Sequence, residues 1–355
     1  MKALRKFAAL SAFLLLAFSV YADGGANAYN QHNLVSDGFV AADHTDPKLI
    51  NAWGIAATST SPMWVADNGT GFSTIYDGLG NPQPLVVTIP GGSPTGLIAN
   101  DTADFAVSRG TVSGAPTFIF ATENGSIAGW SRAVDLNNAV TMVDRSGVMA
   151  VYKGIAMAAN GTDHFLYATD FHNARIDVFD KAYKPVTLPA GAFTDSQIPV
   201  GFAPFGIRNI NGDLYVTYAM QDAAKHDDVA GPGLGFVDVF DANGRLLRRL
   251  AARGTLNAPW GLALAPSDFG EFSNCLLVAN FGDGKINAYE LESGEFRGQL
   301  NQPNAQPVVI DGLWGINFGN GLHNQPTNVL FFGAGPGAES HGLYGRLEAA
   351  QKRVP

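Results

Sequence analysis

The sequence contains almost no cysteine and no long apolar segment beyond its N-terminus. Cys275 is the only cysteine among 355 residues, so no internal disulfide can form and the core alone must stabilise the fold. Because Cys275 lies in an apolar run, we expect a buried, unreactive thiol. After residue 22 no segment reaches the roughly 18 apolar residues that a membrane-spanning helix needs. We therefore expect no stable membrane insertion of the mature chain.

Charged residues are scarce as well, at 15% of the chain, and acidic residues outnumber basic ones by 31 to 22. The net charge is −9 at pH 7. Without residues 1–22, which hold three basic residues and no acidic one, 19 basic residues face 31 acidic ones and the net charge is −12. A negative surplus disfavours contact with phosphate backbones and anionic membranes, so we predict no nucleic-acid partner.

The first 22 residues have the pattern of a secretory signal peptide. Lys2, Arg5 and Lys6 precede a 14-residue apolar run, 7–20, and a cleavage site follows at residues 20–22. We expect a mature chain of residues 23–355 that is exported to the periplasm or the extracellular medium. A retained membrane anchor is the alternative.

A repeated glycine opening indicates the fold. The chain has 42 glycines and no long stretch of helical apolar periodicity, which favours many short strands joined by tight turns. Six glycines, each followed by Ile or Leu, are separated by 42, 58, 52, 55 and 54 residues. These glycines are Gly54, Gly96, Gly154, Gly206, Gly261 and Gly315.

Each opening is followed by further short apolar strands, so one four-stranded unit recurs about every 50 residues, as in a propeller blade. We predict an all-β, six-bladed β-propeller in a single domain, because two separate β-sandwiches would not give six copies of one opening. The predicted blades are 49–90, 91–145, 150–190, 200–250, 256–300 and 310–349. We expect an N-terminal strand, 32–38, to complete blade six, because few residues follow its third strand and a free edge would otherwise remain.

The segment 204–244, with Pro204, Phe205 and Gly206 at its start, resembles an NHL-type repeat. The stretches 65–71, 237–250 and 256–262 resemble a narrower, uncharacterised family of exported bacterial six-bladed propellers. Some members of that family carry a C-terminal PEP-CTERM sorting signal. The resemblance implies a bacterial exported propeller and no established activity, and we expect no sorting of this type because a terminal membrane helix and basic tail do not precede Pro355.

The predicted architecture also resembles the fold of lactonases and phosphotriesterases of the regucalcin and gluconolactonase type. In their metal site, Asn or Asp directly precedes the glycine that opens an inner strand. None of the residues at these positions here is a good ligand for a hard cation, which disfavours that activity. They are Trp53, Thr95, Lys153, Phe205, Trp260 and Trp314.

Acidic and amide residues gather where the second strand of a blade turns into the third, on the same rim as the start of the first strand. Oxygen ligands that converge from several blades would suit calcium. The alternative is that these residues serve only their turns, because Asp-Gly and Asn-Gly pairs tolerate the positive φ that tight hairpins require. We take calcium as a possible cofactor. The candidate ligands are Asp67, Glu123, Asp170, Asn280 and Glu339.

The blade-four loop, 221–235, is longer than a hairpin needs, and long loops in compact domains are often functional. It places His226 among Asp222, Asp227 and Asp228, which could orient the imidazole as a base. His172 and His341 lie in equivalent loops of other blades and complete the catalytic candidates. The alternatives are a solvated loop and three unrelated surface histidines.

Four large rings precede opening glycines and should lie at equivalent heights around the channel mouth. They are Trp53, Phe205, Trp260 and Trp314. Packing between blades explains them, and so does a ligand-binding platform for a sugar or another flat molecule.

Two functional hypotheses follow. The first is a monomeric, non-enzymatic binding scaffold whose acidic and aromatic rim recognises a protein or glycan partner. The alternative is a metal-dependent hydrolase of the lactonase or esterase kind at the channel mouth. Because no G-x-S-x-G or H-E-x-x-H motif occurs, the scaffold is favoured and whether the protein is an enzyme stays open.

Overall fold

The computed structural model describes residues 27–350, so the predicted signal peptide, 1–22, lies outside the described residues. In chain order the strands through blade two are β1 (Tyr29–Ser36), β2 (His44–Thr45), β3 (Ala52–Ala56), β4 (Met63–Asp67), β5 (Phe72–Tyr76), β6 (Val87–Thr88), β7 (Pro94–Ala99), β8 (Val107–Arg109), β9 (Val112–Gly114), β10 (Phe118–Thr122), β11 (Ser126–Trp130) and β12 (Val140–Asp144). Those of blades three and four are β13 (Tyr152–Asn160), β14 (Asp163–Asp170), β15 (Arg175–Phe179), β16 (Phe202–Ile210), β17 (Asp213–Met220), β18 (Phe236–Phe240) and β19 (Leu246–Ala252). Those of blades five and six are β20 (Pro259–Leu264), β21 (Cys275–Asn280), β22 (Ile286–Glu290), β23 (Phe296–Gln299), β24 (Leu313–Phe318), β25 (Leu330–Ala334) and β26 (Leu343–Ala349).

These strands form six sheets arranged as propeller blades, which confirms the predicted all-β, six-bladed fold. Their orders are β3-β4-β5-β6, β7-β10-β11-β12, β13-β14-β15, β16-β17-β18-β19, β20-β21-β22-β23 and β24-β25-β26-β1-β2. A separate hairpin, β8-β9, extends from blade two. Two 3₁₀ turns complete the described chain, Ser146–Val148 and Gly270–Phe272. Within residues 27–350, no helix has both the length and the apolar character to span a bilayer.

Each blade is buried on both faces because its strands are packed between two neighbouring sheets. All five residues of β10 are buried, and they alternate between two cores as a period-two strand requires. Phe118 and Phe120 pack with Trp64 of blade one, whereas Ile119 and Ala121 pack with Leu166 of blade three. No blade could bury these faces alone, so stability depends on all six.

The six opening glycines allow the inner strands of adjacent blades to approach closely. A Cβ at any of them would meet a backbone atom of the next blade at 2.1 to 3.0 Å. At Gly206, for example, the carbonyl oxygen of Trp260 would lie 2.1 Å away, and at Gly315 that of Trp53 would lie 2.4 Å away. The contacts run around the ring and return from blade six to blade one, which explains why the glycine recurs in every blade.

The predicted closure of the ring is confirmed. Strand β1 pairs antiparallel with β26 from Tyr29–Ala349 to Ser36–Leu343, so an N-terminal strand becomes the fourth strand of blade six, and the short β2 pairs with its other edge. It begins at Tyr29, three residues before the predicted start. Tyr29 is buried, stacks on Phe272 and donates a hydrogen bond to the carbonyl of Phe269 in blade five. The closing strand therefore also joins blade six to its neighbour.

Two blades depart from the prediction of four strands in every blade: β2 adds a fifth strand to blade six, and blade three has only three. The chain that follows β15 pairs with that strand only through an isolated bridge, Phe179–Pro185, and a hydrogen bond from the N–H of Val186 to the carbonyl of Val178. Pro185 and Pro189 have no backbone N–H to donate, so a continued ladder cannot form there.

Candidate functional site

Two sets of equivalent positions surround one end of the central channel, which we call the mouth. The first set precedes the opening glycines, and the second directly follows the second strand of each blade. Members of the second set are Asn68, Glu123, Phe171, Gln221, Phe281 and Gly335. Large rings from blades three to six pack together with Trp53 of blade one, whereas the other members of the two sets in blades one to three are mainly polar.

The four predicted rim aromatics form a plug that closes the channel at the mouth. Trp53 and Trp314 stack with ring centroids 3.5 Å apart, and Trp260 meets both edge-on at 5.8 and 5.7 Å. Phe205 contacts Trp314, and Phe281 covers it. All four predicted rings are only 0–8% exposed. They therefore present no open platform at the mouth, because Trp314 lies between Trp53 and Phe281, Lys153 lies over Trp53, and the remaining rings are buried.

Lys153 is a buried cation beside this plug. Its side chain is 1% exposed, and its ammonium lies 2.5 Å from Oε1 of Glu123, 3.1 Å from Oδ1 of Asp227 and 5.0 Å from the ring centroid of Trp53. Burial alone would lower the pKa of Lys153, but the two carboxylates outweigh it and raise that pKa above its ordinary value. The ammonium thus stays charged at neutral pH.

Four carboxylates from three blades lie near this one ammonium, and two of them, Glu123 and Asp227, contact it. Burial works against the charge of Asp227, yet Lys153 holds the pKa of Asp227 below its ordinary value. Burial raises the pKa of Asp228 to about 7 and also raises the pKa of Glu339. The charges of Glu123 and Asp227 raise the pKa of Glu339 further, while Lys153 lowers it. Because four acidic side chains share a single ammonium, the mouth has an excess of acidic groups.

Two asparagines connect the plug to this charge cluster. The indole N–H of Trp314 donates to Oδ1 of buried Asn51 at 3.1 Å. Nδ2 of Asn51 donates to Glu339 at 2.8 Å and to Asn68 at 3.2 Å, and Asn68 donates to Glu123 at 2.8 Å. Asn51 adopts a left-handed backbone with φ of 51°, which asparagine tolerates better than most residues. Aromatic, amide and charged groups therefore form one continuous network across blades six, one, two and three.

The predicted metal ligands do not converge, because three of them stabilise their own turns. Asp67 accepts hydrogen bonds from the backbone N–H and hydroxyl of Thr74, and Asp170 accepts from Asn173 and the N–H of Val151. Asn280 donates to the carbonyl of Thr255. These three residues are the last of their strands, whereas Glu123 is one position later. Since strand side chains alternate, this one-residue offset places Glu123 at the mouth and the other three in the turns.

The structure separates the catalytic candidates. Asp222 accepts hydrogen bonds from the N–H groups of His226 and Asp227 and so shapes the blade-four loop. His341 bonds to Asp37 at 2.7 Å and stacks on Phe39, while the backbone carbonyl of His172 accepts from Gln221.

Only one predicted histidine reaches the carboxylate cluster. Nδ1 of His226 lies 2.9 Å from Oδ1 of Asp227, the oxygen that also faces Lys153. Donor atoms of Glu123, His226 and Asp227 all lie within 4.8 Å of one another, which is a geometry that could hold a metal ion.

Sequence reasoning missed the central role of Lys153 and the contributions of Asn51 and Asn68. Lys153 was visible as the one charged residue in a set of otherwise aromatic or small side chains before the opening glycines. Its equivalence with Trp53 and Trp260 is the signal that could have identified a buried cation. Nothing in the local sequence distinguishes Asn51 from an ordinary turn residue.

The fold and the mouth define a six-bladed β-propeller with a closed aromatic channel end and an acidic cluster around a buried lysine. No family model matches this chain. The chain belongs to the family of "Uncharacterized protein R648" of Acanthamoeba polyphaga mimivirus, with 34% identity over 324 residues that cover 88% of this chain and 78% of that protein. "Uncharacterized protein L690" of the same virus is 32% identical over 326 residues, 88% of this chain and 84% of its own length. These viral relatives give no support to the predicted bacterial family or its sorting signal.

Solved structures show the same fold at much lower sequence identity. A structural-genomics protein of unknown function from Bacteroides thetaiotaomicron is 12% identical and superimposes with a TM-score of 0.56, over 90% of this chain and 76% of that one. A streptogramin B lyase structure is also 12% identical, with a TM-score of 0.53, over 91% of this chain and 97% of that chain. At these identities the likeness shows the architecture alone.

Proposed function

We propose that this protein is a binding scaffold whose acidic mouth recognises a cationic segment of a protein partner. The observation that carries the proposal is the gathering of Glu123, Asp227, Asp228 and Glu339 around the single ammonium of Lys153. Lysine or arginine side chains of a partner would offset the remaining negative charge. Asp227, whose side chain is 65% exposed, is available for such a contact.

The aromatic plug supports a protein partner over a glycan. Sugar recognition by stacking needs an exposed ring face. Trp314 lies between Trp53 and Phe281, Lys153 lies over Trp53, and Trp260 is only 8% exposed. A basic peptide needs only the charged surface above the plug. The blade-four loop that carries Asp227 is held by the Gln221–Asp228 bridge, so part of this surface is already ordered.

The test uses a defined probe, a fluorescent hexalysine peptide, with a hexaglutamate peptide of equal length as the charge control. Binding is followed by fluorescence anisotropy at low and high salt. We expect hexalysine to bind, hexaglutamate not to bind, and the hexalysine affinity to fall as salt screens exposed charges.

Variants assign the binding to the mouth. Asp227→Asn combined with Glu339→Gln should weaken hexalysine binding by about tenfold or more, since two charged contacts are lost. Asp268→Asn removes one exposed carboxylate from the loop between the first two strands of blade five, on the opposite rim, and should leave the affinity unchanged. If the double variant and Asp268→Asn lost hexalysine affinity equally, the binding would depend only on the net charge of the protein. That result would reject the mouth as the binding site.

A metal-dependent hydrolase is the second candidate, and the close donor atoms of Glu123, His226 and Asp227 favour it. The position of Lys153 opposes it. Its ammonium contacts the carboxylates of both Glu123 and Asp227, so a cation already occupies the place that a divalent ion would take. We therefore propose that Lys153 replaces calcium at this mouth.

Chelator and added metal distinguish these two candidates. A resident metal that binds only the folded state raises the melting temperature, so chelation would lower it. We expect neither EDTA nor millimolar calcium to change the melting temperature. Hydrolysis of esters or lactones that needs metal and is lost in His226→Gln would instead establish the enzyme.

Export and a monomeric state are parts of the same proposal. Export rests on the N-terminal pattern of residues 1–22 alone. Fusion of residues 1–30 to a reporter that is active only outside the cytoplasm tests it, and a reporter that stays inactive would reject it. Analytical ultracentrifugation of residues 23–355 tests the monomeric state, and a sedimentation coefficient typical of a dimer would contradict it.

A further inference from the structure

The central channel contains a cavity on the side of the plug that faces away from the mouth. Its volume is about 380 Å³, within the range of small-ligand pockets. Residues from the opening glycines onward line it in all six blades, and Trp260 lies at its inner end. The apolar walls are the residues after the opening glycines, Ile55, Leu97, Ile155, Ile207, Leu262 and Ile316.

Within residues 27–350, Arg208 is the only cationic side chain that lines this cavity. It lies two residues after the opening glycine of blade four, where blades one, two, three and five carry Ala56, Ile98, Ala156 and Ala263. Its Nη2 donates to Oδ1 of Asn317, across the channel in blade six, at 2.7 Å. This is the only hydrogen bond that the guanidinium makes within residues 27–350.

Arg208 also has no carboxylate partner within 4.0 Å among the described residues, in contrast to Lys153. Burial lowers the pKa of Arg208, and no neighbouring charge compensates for it. Arginine nevertheless stays protonated at neutral pH, because its ordinary pKa lies far above 7. Arg208 is partly buried inside the channel. A partly desolvated charge without a counter-ion is unfavourable, so the site gains stability when an anion enters.

We propose that this cavity binds a small organic monocarboxylate, with its carboxylate on Arg208 and its apolar body against the Ile and Leu walls. The planar guanidinium suits a carboxylate because two parallel N–H groups can bond to its two oxygens. Asp101, which is exposed and lines the same cavity, disfavours anions of higher charge. The site is independent of the acidic mouth, since the aromatic plug separates the two.

The test uses benzoate and hexanoate as probes, with benzamide and hexanamide as uncharged equivalents and inorganic phosphate as a plain anion. Isothermal titration calorimetry and the melting temperature are measured on the full mature chain. We expect both carboxylates to bind and to raise the melting temperature, and the amides and phosphate to do neither. This comparison needs no variant, so it does not depend on how a substitution folds.

Substitutions then assign the site. Arg208→Gln should weaken benzoate binding at least about tenfold, the loss expected when a charged donor to a carboxylate is removed. Arg245→Gln removes an exposed arginine between the third and fourth strands of the same blade and should bind benzoate as the wild type does. Equal affinity in Arg208→Gln, equal binding of amides or phosphate, or no carboxylate binding up to about 10 mM would each overturn the proposal.

Discussion

The two ends of the central channel each hold a cation, fully buried at the mouth and partly buried in the cavity, and they differ in how that cation is paired. At the mouth, the ammonium of Lys153 has two carboxylate partners and a tryptophan face. In the cavity, Arg208 has a single neutral partner, Asn317. A paired buried charge contributes to a fixed structure, whereas an unpaired one is held by the surrounding fold and remains available to a ligand. The difference separates a structural cation from a candidate binding group.

The aromatic plug separates the two ends of the channel. Among the changes considered, its truncation should have the largest effect on the free energy of unfolding. Trp314→Ala deletes a ring that contacts Trp53, Trp260, Phe205 and Phe281. We expect a loss of about 4 kcal/mol in the free energy of unfolding, as for other large core truncations. Urea denaturation measures it, and Phe39→Ala, which truncates a ring that is 57% exposed, is the control. A loss as small as that of the control would show that the plug contributes little.

Removal of Lys153 should have the next largest effect. Lys153→Met leaves Glu123 and Asp227 facing each other without a cation, and we expect a loss of about 3 kcal/mol at pH 7. Adding Glu123→Gln should recover part of it, because one of the uncompensated charges is then gone. Lys225→Met alters an exposed lysine of the blade-four loop and should change stability by less than about 0.5 kcal/mol. An unchanged Lys153→Met variant would refute the structural role of the ion pair.

The repeat made the fold predictable from the sequence, but it did not predict which side chains meet at the mouth. Six glycines mark the closest approaches of inner strands, so each repeat directly encodes a contact with the next blade. The mouth depends instead on the positions where the repeats differ. Asp67 and Glu123 look equivalent in sequence, yet an offset of one residue sends their side chains to different places. The sequence did not identify Arg208, because a single arginine in an apolar strand gives no sign of which residues surround it. Only the structure shows that it lines a cavity and has no carboxylate partner among the described residues.

The acidic groups of the mouth should give a pH dependence of stability. Burial raises the pKa of Asp228 from 3.8 to about 7, so the folded state keeps a proton that the unfolded state releases above about pH 4. The stabilisation is fully present below pH 4 and is lost as the pH rises through 7. Asp228→Asn should therefore reduce the fall in stability between pH 4 and pH 8 by on the order of 2 kcal/mol.

Asp238 provides the control for this pH dependence. Burial raises its pKa to about 7 as well, although it pairs with Arg249 in blade four rather than at the mouth. In Asp228→Asn the free energy of unfolding should still vary with pH because Asp238 still titrates. The difference between the wild-type and variant profiles therefore reports on Asp228 alone. Identical wild-type and variant profiles would show that Asp228 does not titrate in this range.

Removal of Arg208 should have the smallest effect on stability, and its sign should be opposite to that of Lys153. Arg208→Met replaces an uncompensated charge with an apolar side chain of similar length in a cavity that is already walled by Ile and Leu. The single hydrogen bond to Asn317 is lost, but the desolvated charge is lost with it, and replacing buried charge by apolar groups is often stabilising. We expect a gain of about 1 kcal/mol in the absence of carboxylates, measured by urea denaturation beside Lys153→Met. In saturating benzoate the order should reverse, because only the wild type gains stability from the ligand. A large loss in Arg208→Met without ligand would mean that Arg208, like Lys153, is needed to hold the blades together, and the contrast between the two channel ends would be wrong.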